Sequence, residues 1–324
     1  MTTPTGRETP EVRQAAETVS VDVTVIVPSY NTRALLERCL ESIYQEPPNR
    51  SFEVIVVDDA SKDQSADMVR QRFPQVRLLV NKVNEGYARS NNHAITTSRG
   101  RFIYLLNSDA ELLPGAIDFL AEFLESHPLA GGAGSLLYNG DGSLQTSVKA
   151  LPTIRSAFFG KRSILARWFP RSRFTQSELL QWKGDEEQPF QAGYVSSASL
   201  MMPRDVVRQV GELDTRLWYF IDADYCRRIW GLSREVYCVP RAKVIHREHR
   251  GGTLAGPRQR FRSVVRFHYG AHLYFRKHSG KRWWHPTFLA VSAGIGLRLL
   301  ASLIVQMAKE LVGSDRRSYD ESNL

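Results

Sequence analysis

Four short runs of apolar residues set the terms for any fold of this chain: Val23-Thr-Val-Ile-Val27, Glu53-Val-Ile-Val-Val57, Val76-Arg-Leu-Leu-Val80 and Phe102-Ile-Tyr-Leu-Leu106. Runs that are apolar at nearly every position, rather than at every second one, suit strands buried on both faces. Between them lie stretches with helical spacing. Leu35, Leu36, Cys39, Leu40 and Ile43 form one stripe, a polar segment with helical spacing follows Asp59, and another helix is expected to begin near Gly86. Strands alternating with helices of this length predict βαβ units, an α/β fold and a mostly parallel sheet.

In such a sheet the ligand lies beyond the carboxyl ends of the strands, where loops and helix N-termini converge. Those ends read Pro28-Ser-Tyr-Asn31, Asp58-Asp-Ala-Ser61, Asn81 to Gly86, and Asn107-Ser-Asp109. No G-x-G-x-x-G follows the first strand and no Walker A sequence is present. Both glycine-rich phosphate devices are therefore missing, which disfavours a nicotinamide-dependent oxidoreductase. An acid-rich rim suits a base, ribose hydroxyls and a divalent cation.

The second half is less regular. From about Lys149 to Gln191 aromatic and basic residues mix, then give way to Asp185-Glu-Glu187, a pattern read as an insertion or flap. Val195 to Met202 reads as a strand, Asp205 to Val210 as a helix, and Val236–Val239 and Lys243–His246 as two short strands around Pro240. The three cysteines, Cys39, Cys226 and Cys238, are odd in number and lack CxxC spacing, which argues against a disulfide framework or structural zinc and for a reducing cytosol. Residues 1–20 lack the apolar core of a secretory signal and are expected to form a disordered lead-in.

Val25-Ile-Val-Pro-Ser-Tyr-Asn31, Val56-Val-Asp-Asp-Ala-Ser61, Asn84-Glu-Gly-Tyr-Ala88 with Asn91-Asn92, Leu105-Leu-Asn-Ser-Asp109, Tyr194-Val-Ser-Ser-Ala198, Tyr219-Phe-Ile-Asp-Ala-Asp-Tyr-Cys226 and Val244-Ile-His246 occur in one order along the chain. That ordered set resembles family 2 glycosyltransferases, and looks most like the bacterial rhamnosyltransferases and galactofuranosyltransferases among them, over roughly residues 22 to 280. The resemblance implies a GT-A fold and an inverting, metal-dependent transfer from a nucleoside diphosphate sugar. It places the donor against Pro28, Tyr30, Asn31, Asp58, Asp59, Asn84, Gly86, Arg89, Asn91, Asn107 and Asp109. Asp58 and Asp59 take the place of the pair that reads the pyrimidine and its ribose, since a carboxylate accepts a base N–H. Asp109 ends the family's Asp-x-Asp motif, whose last acid holds Mg²⁺ or Mn²⁺; its first acid is here Asn107, one charge fewer. His246 stands where the family reaches the metal or the diphosphate, and His249 and Arg250 follow it. Asp222 inherits the role of base, with Ile221 in place of the usual preceding acid, while Asp224 supports the loop or caps the next helix.

The chain's net charge of +9 is concentrated: Arg241 to His285 holds twelve Lys and Arg against the single acid Glu248. Pro286 to Ala308 then carries only Arg298, and Arg298, Ser302, Gln306 and Glu310 recur every four residues as one polar stripe. An amphipathic helix lying in an anionic membrane interface fits, with Trp283 and Trp284 at headgroup level; a spanning helix and a buried core or dimer helix are the alternatives. The resulting layout is a GT-A catalytic domain at 21–250, made of a nucleotide-binding half at 21–110 and an acceptor half at 111–250 with the flap near 149–191, followed by a basic, amphipathic helical region at 251–324. The expected function is transfer of rhamnose from dTDP-rhamnose, or else of a UDP-linked hexose such as galactofuranose, to a lipid-linked glycan at the cytoplasmic face of the cell membrane. A lectin-like or nucleic-acid-binding module is the non-enzymatic alternative; no RRM, KH, helix-turn-helix or zinc-finger pattern supports it, and no nucleic-acid partner is expected.

Overall fold

The computed structural model describes residues 21–153, 187–247 and 256–312. The lead-in at 1–20, most of the expected flap, and His249 and Arg250 lie outside the described residues.

The apolar runs form β1 (Val21–Ser29), β2 (Phe52–Asp58), β3 (Arg77–Val80) and β4 (Gly100–Leu106), joined by α1 (Arg33–Gln45), α2 (Ser65–Arg72) and α3 (Tyr87–Thr97). Next come β5 (Ala110–Leu112), α4 (Ala116–Ser126), β6 (Ala130–Tyr138), β7 (Val148–Lys149), β8 (Phe190–Gln191), β9 (Tyr194–Val195), β10 (Ser199–Pro203), α5 (Arg204–Val210), α6 (Ile221–Gly231) and β11 (Glu235–His246). Two long helices close the chain, α7 (Pro257–His278) and α8 (Pro286–Val312).

Among the described residues, nine strands make one sheet in the order β3-β2-β1-β4-β10-β6-β11-β5, with β8 paired to β11. The β1–β2, β1–β4, β2–β3 and β6–β11 ladders are parallel, and β10 runs antiparallel between β4 and β6. Strand alternation gives the sheet two cores. Val23, Val25 and Val27 face the helices α1, α2 and α4, while Ile26, Ile55, Val57, Ile103 and Leu105 face α3, α5 and α6. At the start of β4, Gly100 sits so close to β1 that a Cβ would lie 2.3 Å from the Thr24 nitrogen, and its N–H donates to Thr24 Oγ1 at 2.7 Å.

Two strand expectations are corrected. Val195 to Met202 is not one strand: Ser196 to Ala198 form a turn, closed by Ser199 N–H donating to Ser196 O at 3.2 Å, and only Ser199–Pro203 joins the sheet. The two strands expected around Pro240 are the single β11, whose register against β6 jumps between Val239 and Lys243. Proline has no N–H for the ladder, so the strand bulges past it instead of ending.

The polar stripe of α8 also departs from expectation. It faces α7, not water: Arg260 grips Glu310 with two 2.8 Å hydrogen bonds, Gln306 donates to Glu310 at 2.7 Å, and Phe275 stacks on Phe288 at the other end of the antiparallel pair. The face left exposed is apolar, formed by Leu289, Leu297, Leu300, Ile304 and Met307, and Pro286–Ala308 is long and apolar enough to cross a membrane by length and composition.

Candidate active site

The tips of β1, β2, β4 and β11 meet at one edge of the sheet. Ser29 Oγ lies 2.9 Å from Thr32 Oγ1, which donates to Ser108 Oγ at 3.0 Å and so ties the first tip to the fourth. Asn31, in the left-handed region at φ 52°, accepts from Lys62 N–H at 2.7 Å and donates its own N–H to Ser61 Oγ at 3.0 Å, joining the first tip to the second. Tyr30 is exposed on this rim, and Pro28 lies in β1 beyond the strand's last pairing with β4.

Asp58 and Asp59 are both buried but differ in what they have left to offer. Asp59 accepts from Asn81 Nδ2 at 2.9 Å, from Glu85 N–H at 2.8 Å and from Gly86 N–H at 2.8 Å, so its carboxylate shapes the 81–86 loop. Asp58 accepts from Ser61 N–H through Oδ1, and its Oδ2 is buried with no protein partner. Within the loop, Gly86 has φ 87° and lies against the Trp218 ring, a backbone position and a space that a side chain would not share. Asn84 and Arg89 are exposed. Asn91 is fully buried on α3; it donates to the Tyr87 carbonyl, and its Oδ1 has no partner.

At the fourth tip Asn107, Asp109 and His246 converge. His246 Nε2 lies 3.3 Å from Asp109 Oδ1 and 3.3 Å from Asn107 Nδ2, although 137 positions or more of chain separate His246 from both. Gln145 determines which ring nitrogen is free. Its Nε2 donates to the His246 carbonyl and to Asn139 Oδ1, leaving Oε1 against His246 Nδ1 at 3.0 Å. A carbonyl oxygen only accepts, so Nδ1 carries a hydrogen and Nε2 is the ring nitrogen turned toward Asp109. A lone pair beside a carboxylate needs a positive charge, a proton or a metal ion, to reconcile them. Asn107 Oδ1, buried without a partner, adds a third donor atom to the group. Among the described residues no cluster of three or more His, Cys, Asp or Glu exists. A site of one carboxylate, one imidazole and an amide oxygen still fits Mg²⁺ or Mn²⁺, which usually take only one or two carboxylates and complete their shell with water and substrate phosphates.

Asp222 is the second residue of α6, whose N-cap Phe220 stands in the left-handed region at φ 69°. Burial raises its carboxyl above the usual range, against the opposing pull of the Lys149 charge and backbone N–H groups of Ala223 and Ser197. Tyr87 is a residue that the sequence reading passed over. Its hydroxyl donates to Ser197 O at 3.0 Å, and both Asp222 and Asp109 act on it electrostatically, so it lies within reach of both carboxylates. Gln145 was equally unannounced, for it lies in an irregular segment with no motif around it.

Asp224 is fully buried but faces away from this edge. Burial pushes its carboxyl up, yet hydrogen bonds from His278 (2.7 Å) and Lys277 (2.9 Å) and the Arg228 charge hold it below the usual range. It latches α6 to α7. All three cysteines are buried and free.

Comparison with known proteins agrees with this picture. The chain is 28% identical over 288 residues to an N-acetylglucosaminyl-diphospho-decaprenol L-rhamnosyltransferase of Mycobacterium tuberculosis, covering 85% of this chain and 90% of that protein. In fold it is similar to a mannosyltransferase from Pyrobaculum calidifontis in complex with GDP-Man and Mn²⁺ (TM-score 0.54, 18% identity, 94% of this chain and 79% of that one). It is also similar to S. aureus TarS 1-349 (TM-score 0.51, 16% identity, 85% of this chain and 70% of that one). Residues 24–211, more than half of the chain, match the model of Glycosyl transferase family 2. With its mixed sheet, its acid-lined strand tips and this match, the protein is a glycosyltransferase of GT-A fold, and it belongs to glycosyl transferase family 2.

Proposed function

We infer that the enzyme moves a sugar, rhamnose from dTDP-rhamnose, to a lipid-linked diphosphate glycan, with inversion and with the help of Mg²⁺ or Mn²⁺. The observation that carries this reading is the pairing of two unlike groups: the Asp109, His246 and Asn107 set at the strand tips, and the half-buried Asp222, with Tyr87 under the electrostatic influence of both Asp109 and Asp222. The mycobacterial relative, whose substrate is a diphospho-decaprenol sugar and whose transferred group is rhamnose, supports the donor and acceptor classes.

Asp109, His246 and Asn107 would hold the cation, which when bound neutralises charge on the departing diphosphate. Gln145 favours that role for His246 over a contact to phosphate, because the neutral ring offers Nε2 as an acceptor. The unpartnered Oδ2 of Asp58 accepts a base N–H, while Asp59 holds the 81–86 loop in shape. Asp222 takes the proton from the acceptor hydroxyl as that oxygen bonds to the anomeric carbon and the bond to the diphosphate breaks on the opposite face, which inverts the centre. Its raised carboxyl makes it a better proton acceptor than an ordinary aspartate.

The hairpin of α7 and α8 anchors the enzyme at the cytoplasmic face of the membrane, in the interface rather than across it. α7 lies along α8 from Arg260 opposite Glu310 to Phe275 opposite Phe288, so a transverse α8 would carry the exposed arginines of α7 into hydrocarbon. Lying flat, the pair sinks the apolar face of α8, with Trp283 at 70% exposure and Trp284 beside it at headgroup depth.

A thermal-shift screen of nucleotide sugars with and without Mn²⁺ tests the donor reading, since a ligand that binds only the folded state raises apparent stability. dTDP-rhamnose should stabilise the protein most, and Asp109→Ala should abolish the Mn²⁺-dependent part. Stabilisation by UDP-sugars alone would reassign the donor.

A further inference from the structure

Several cations of the C-terminal basic block are engaged within the fold: Arg241 lies over Phe119, Arg247 pairs with Glu111, Arg260 with Glu310, and Lys277 with Asp214 and Asp224. Arg258, Arg262 and Arg266, by contrast, are exposed on α7 and have no acidic partner among the described residues. Their four-residue spacing puts them in one row, about 12 Å long at 1.5 Å per residue. Exposed Tyr269 continues the row toward the active site.

The row does not end in empty solvent. The Arg266 guanidinium sits 3.8 Å over the Trp218 ring, and Trp218 in turn lies against Gly86 of the donor loop. The next residue, Phe267, packs on Tyr219 and Phe220, and one helical turn on from Arg266, Gly270 faces the Tyr219 carbonyl so closely that a Cβ would lie 3.0 Å from it. The arginines thus stand on the helix that packs against the segment leading into Asp222. On its other side the same helix packs on α8, whose exposed face is apolar. An apolar exposed face on α8 and a row of guanidinium groups on α7 therefore share one hairpin, and α7 packs against the segment that leads into the proton acceptor on α6. A ligand with a lipid tail, a diphosphate and a terminal sugar hydroxyl has the same three chemistries.

We propose that Arg258, Arg262 and Arg266 form the site for the acceptor's diphosphate, which measures the distance from the membrane to the hydroxyl that Asp222 deprotonates. The proposal rests on the lipid-diphosphate acceptor reading and adds residues to it. Guanidinium suits the task because its fork of N–H donors matches phosphate oxygens, and each such charge-assisted contact is worth an order of magnitude or more in binding. The donor's diphosphate is the other source of the same chemistry. The acceptor is favoured because Arg258 and Arg262 stand on the hairpin whose other helix exposes the apolar face.

The test compares two acceptors in an uncharged detergent, which removes general attraction to anionic lipid: N-acetylglucosaminyl diphosphate on a short polyprenyl chain, and an alkyl N-acetylglucosaminide of similar hydrophobicity. The quantity read is the ratio of kcat/KM for the first to kcat/KM for the second, in wild type, Arg262→Gln and Arg258→Gln/Arg262→Gln. The ratio should fall at least tenfold in the single variant and further in the double, through KM for the lipid diphosphate. A ratio within twofold of wild type overturns the proposal. So does a rise in donor KM with the ratio unchanged, which hands the row to the donor. A wild-type enzyme that binds and hydrolyses the donor but glycosylates neither acceptor sinks the acceptor reading itself, and the site with it. Both arginines are exposed, so the variants should fold, and unchanged thermal stability checks that they do.

Discussion

At the scale of single residues the account turns on Asp222, Asp109 and Gln145. Asp222→Asn keeps size and hydrogen bonding but removes the proton acceptor, so transfer should fall by roughly two to four orders of magnitude while donor binding persists. Turnover near wild type would reassign the base. The acid limb of the wild-type kcat profile should lie above the ordinary carboxylate range of about 4, because burial raises this carboxyl. The same shift carries a stability consequence. A carboxyl that titrates higher folded than unfolded binds more protons in the native state between the two values, so stability falls as pH rises through that window. At pH 7 the ionised Asp222 therefore costs stability, and Asp222→Asn should melt no lower than wild type, and preferably higher; a lower Tm contradicts the assignment. Gln145→Leu, which loses the acceptor for His246 Nδ1–H, should weaken Mn²⁺ binding about 10- to 100-fold, as is usual when a partner of a metal-ligating histidine is removed. Gln145→Glu keeps that acceptor and should bind Mn²⁺ within a few-fold of wild type. Calorimetry on both variants checks this without any turnover; equal affinity in wild type and Gln145→Leu would show that the amide does not set the ring.

At the scale of elements the decisive joint is the one between α6 and α7, where Asp224 receives Arg228, Lys277 and His278 and where Phe220, Phe267 and Tyr274 cluster. Asp224→Asn leaves the cations facing a neutral amide in a fully buried place, and should lower Tm by several degrees, corresponding to roughly 3 kcal/mol or more. Since the folded Asp224 carboxyl is depressed, its contribution is present above the unfolded value near 3.9 and is lost as pH falls through the lower folded one. Hydrogen exchange in α7 should therefore quicken in Asp224→Asn, and in wild type only at strongly acid pH; unchanged exchange in the variant would show that the aromatic cluster alone holds the joint. The extent to which elements were legible follows the same physics. β1, β2 and β4 and their tips were readable because a strand covered on both faces must be apolar almost throughout, and the acids that close it have no place in that core. β10, slotted antiparallel between β4 and β6, carries no local sign of its partner strands. The bulge at Pro240 was mistaken for a break because proline marks both. Gln145, Tyr87 and the Asp224 latch act across 101, 110 and 54 positions of sequence, and no local pattern reports such contacts.

At the scale of the whole molecule, the charge asymmetry and the apolar face of α8 take on different meanings once their neighbours are known. The polar stripe of α8 is engaged by α7, and the basic block divides into cations that hold the fold and a row that faces outward. If the hairpin lies in the interface, Leu297→Glu/Ile304→Glu should abolish sedimentation with anionic vesicles, since both side chains are exposed on the apolar face. Wild-type binding should weaken at high salt, where attraction beyond about 3 Å is screened at 1 M. Resistance to both salt and alkaline washing would instead mark a spanning helix. The central claim, that the sheet edge is an inverting, metal-dependent transfer site with Asp222 as base, is tested most directly by product stereochemistry. Wild type should be incubated with dTDP-β-L-rhamnose and a short-chain lipid N-acetylglucosaminyl diphosphate, with Mn²⁺ or with excess EDTA, and the product examined by NMR. The account predicts an α-linked rhamnoside that forms with Mn²⁺, disappears with EDTA and is absent from Asp222→Asn; a β-linked product, or undiminished transfer in EDTA, would contradict it.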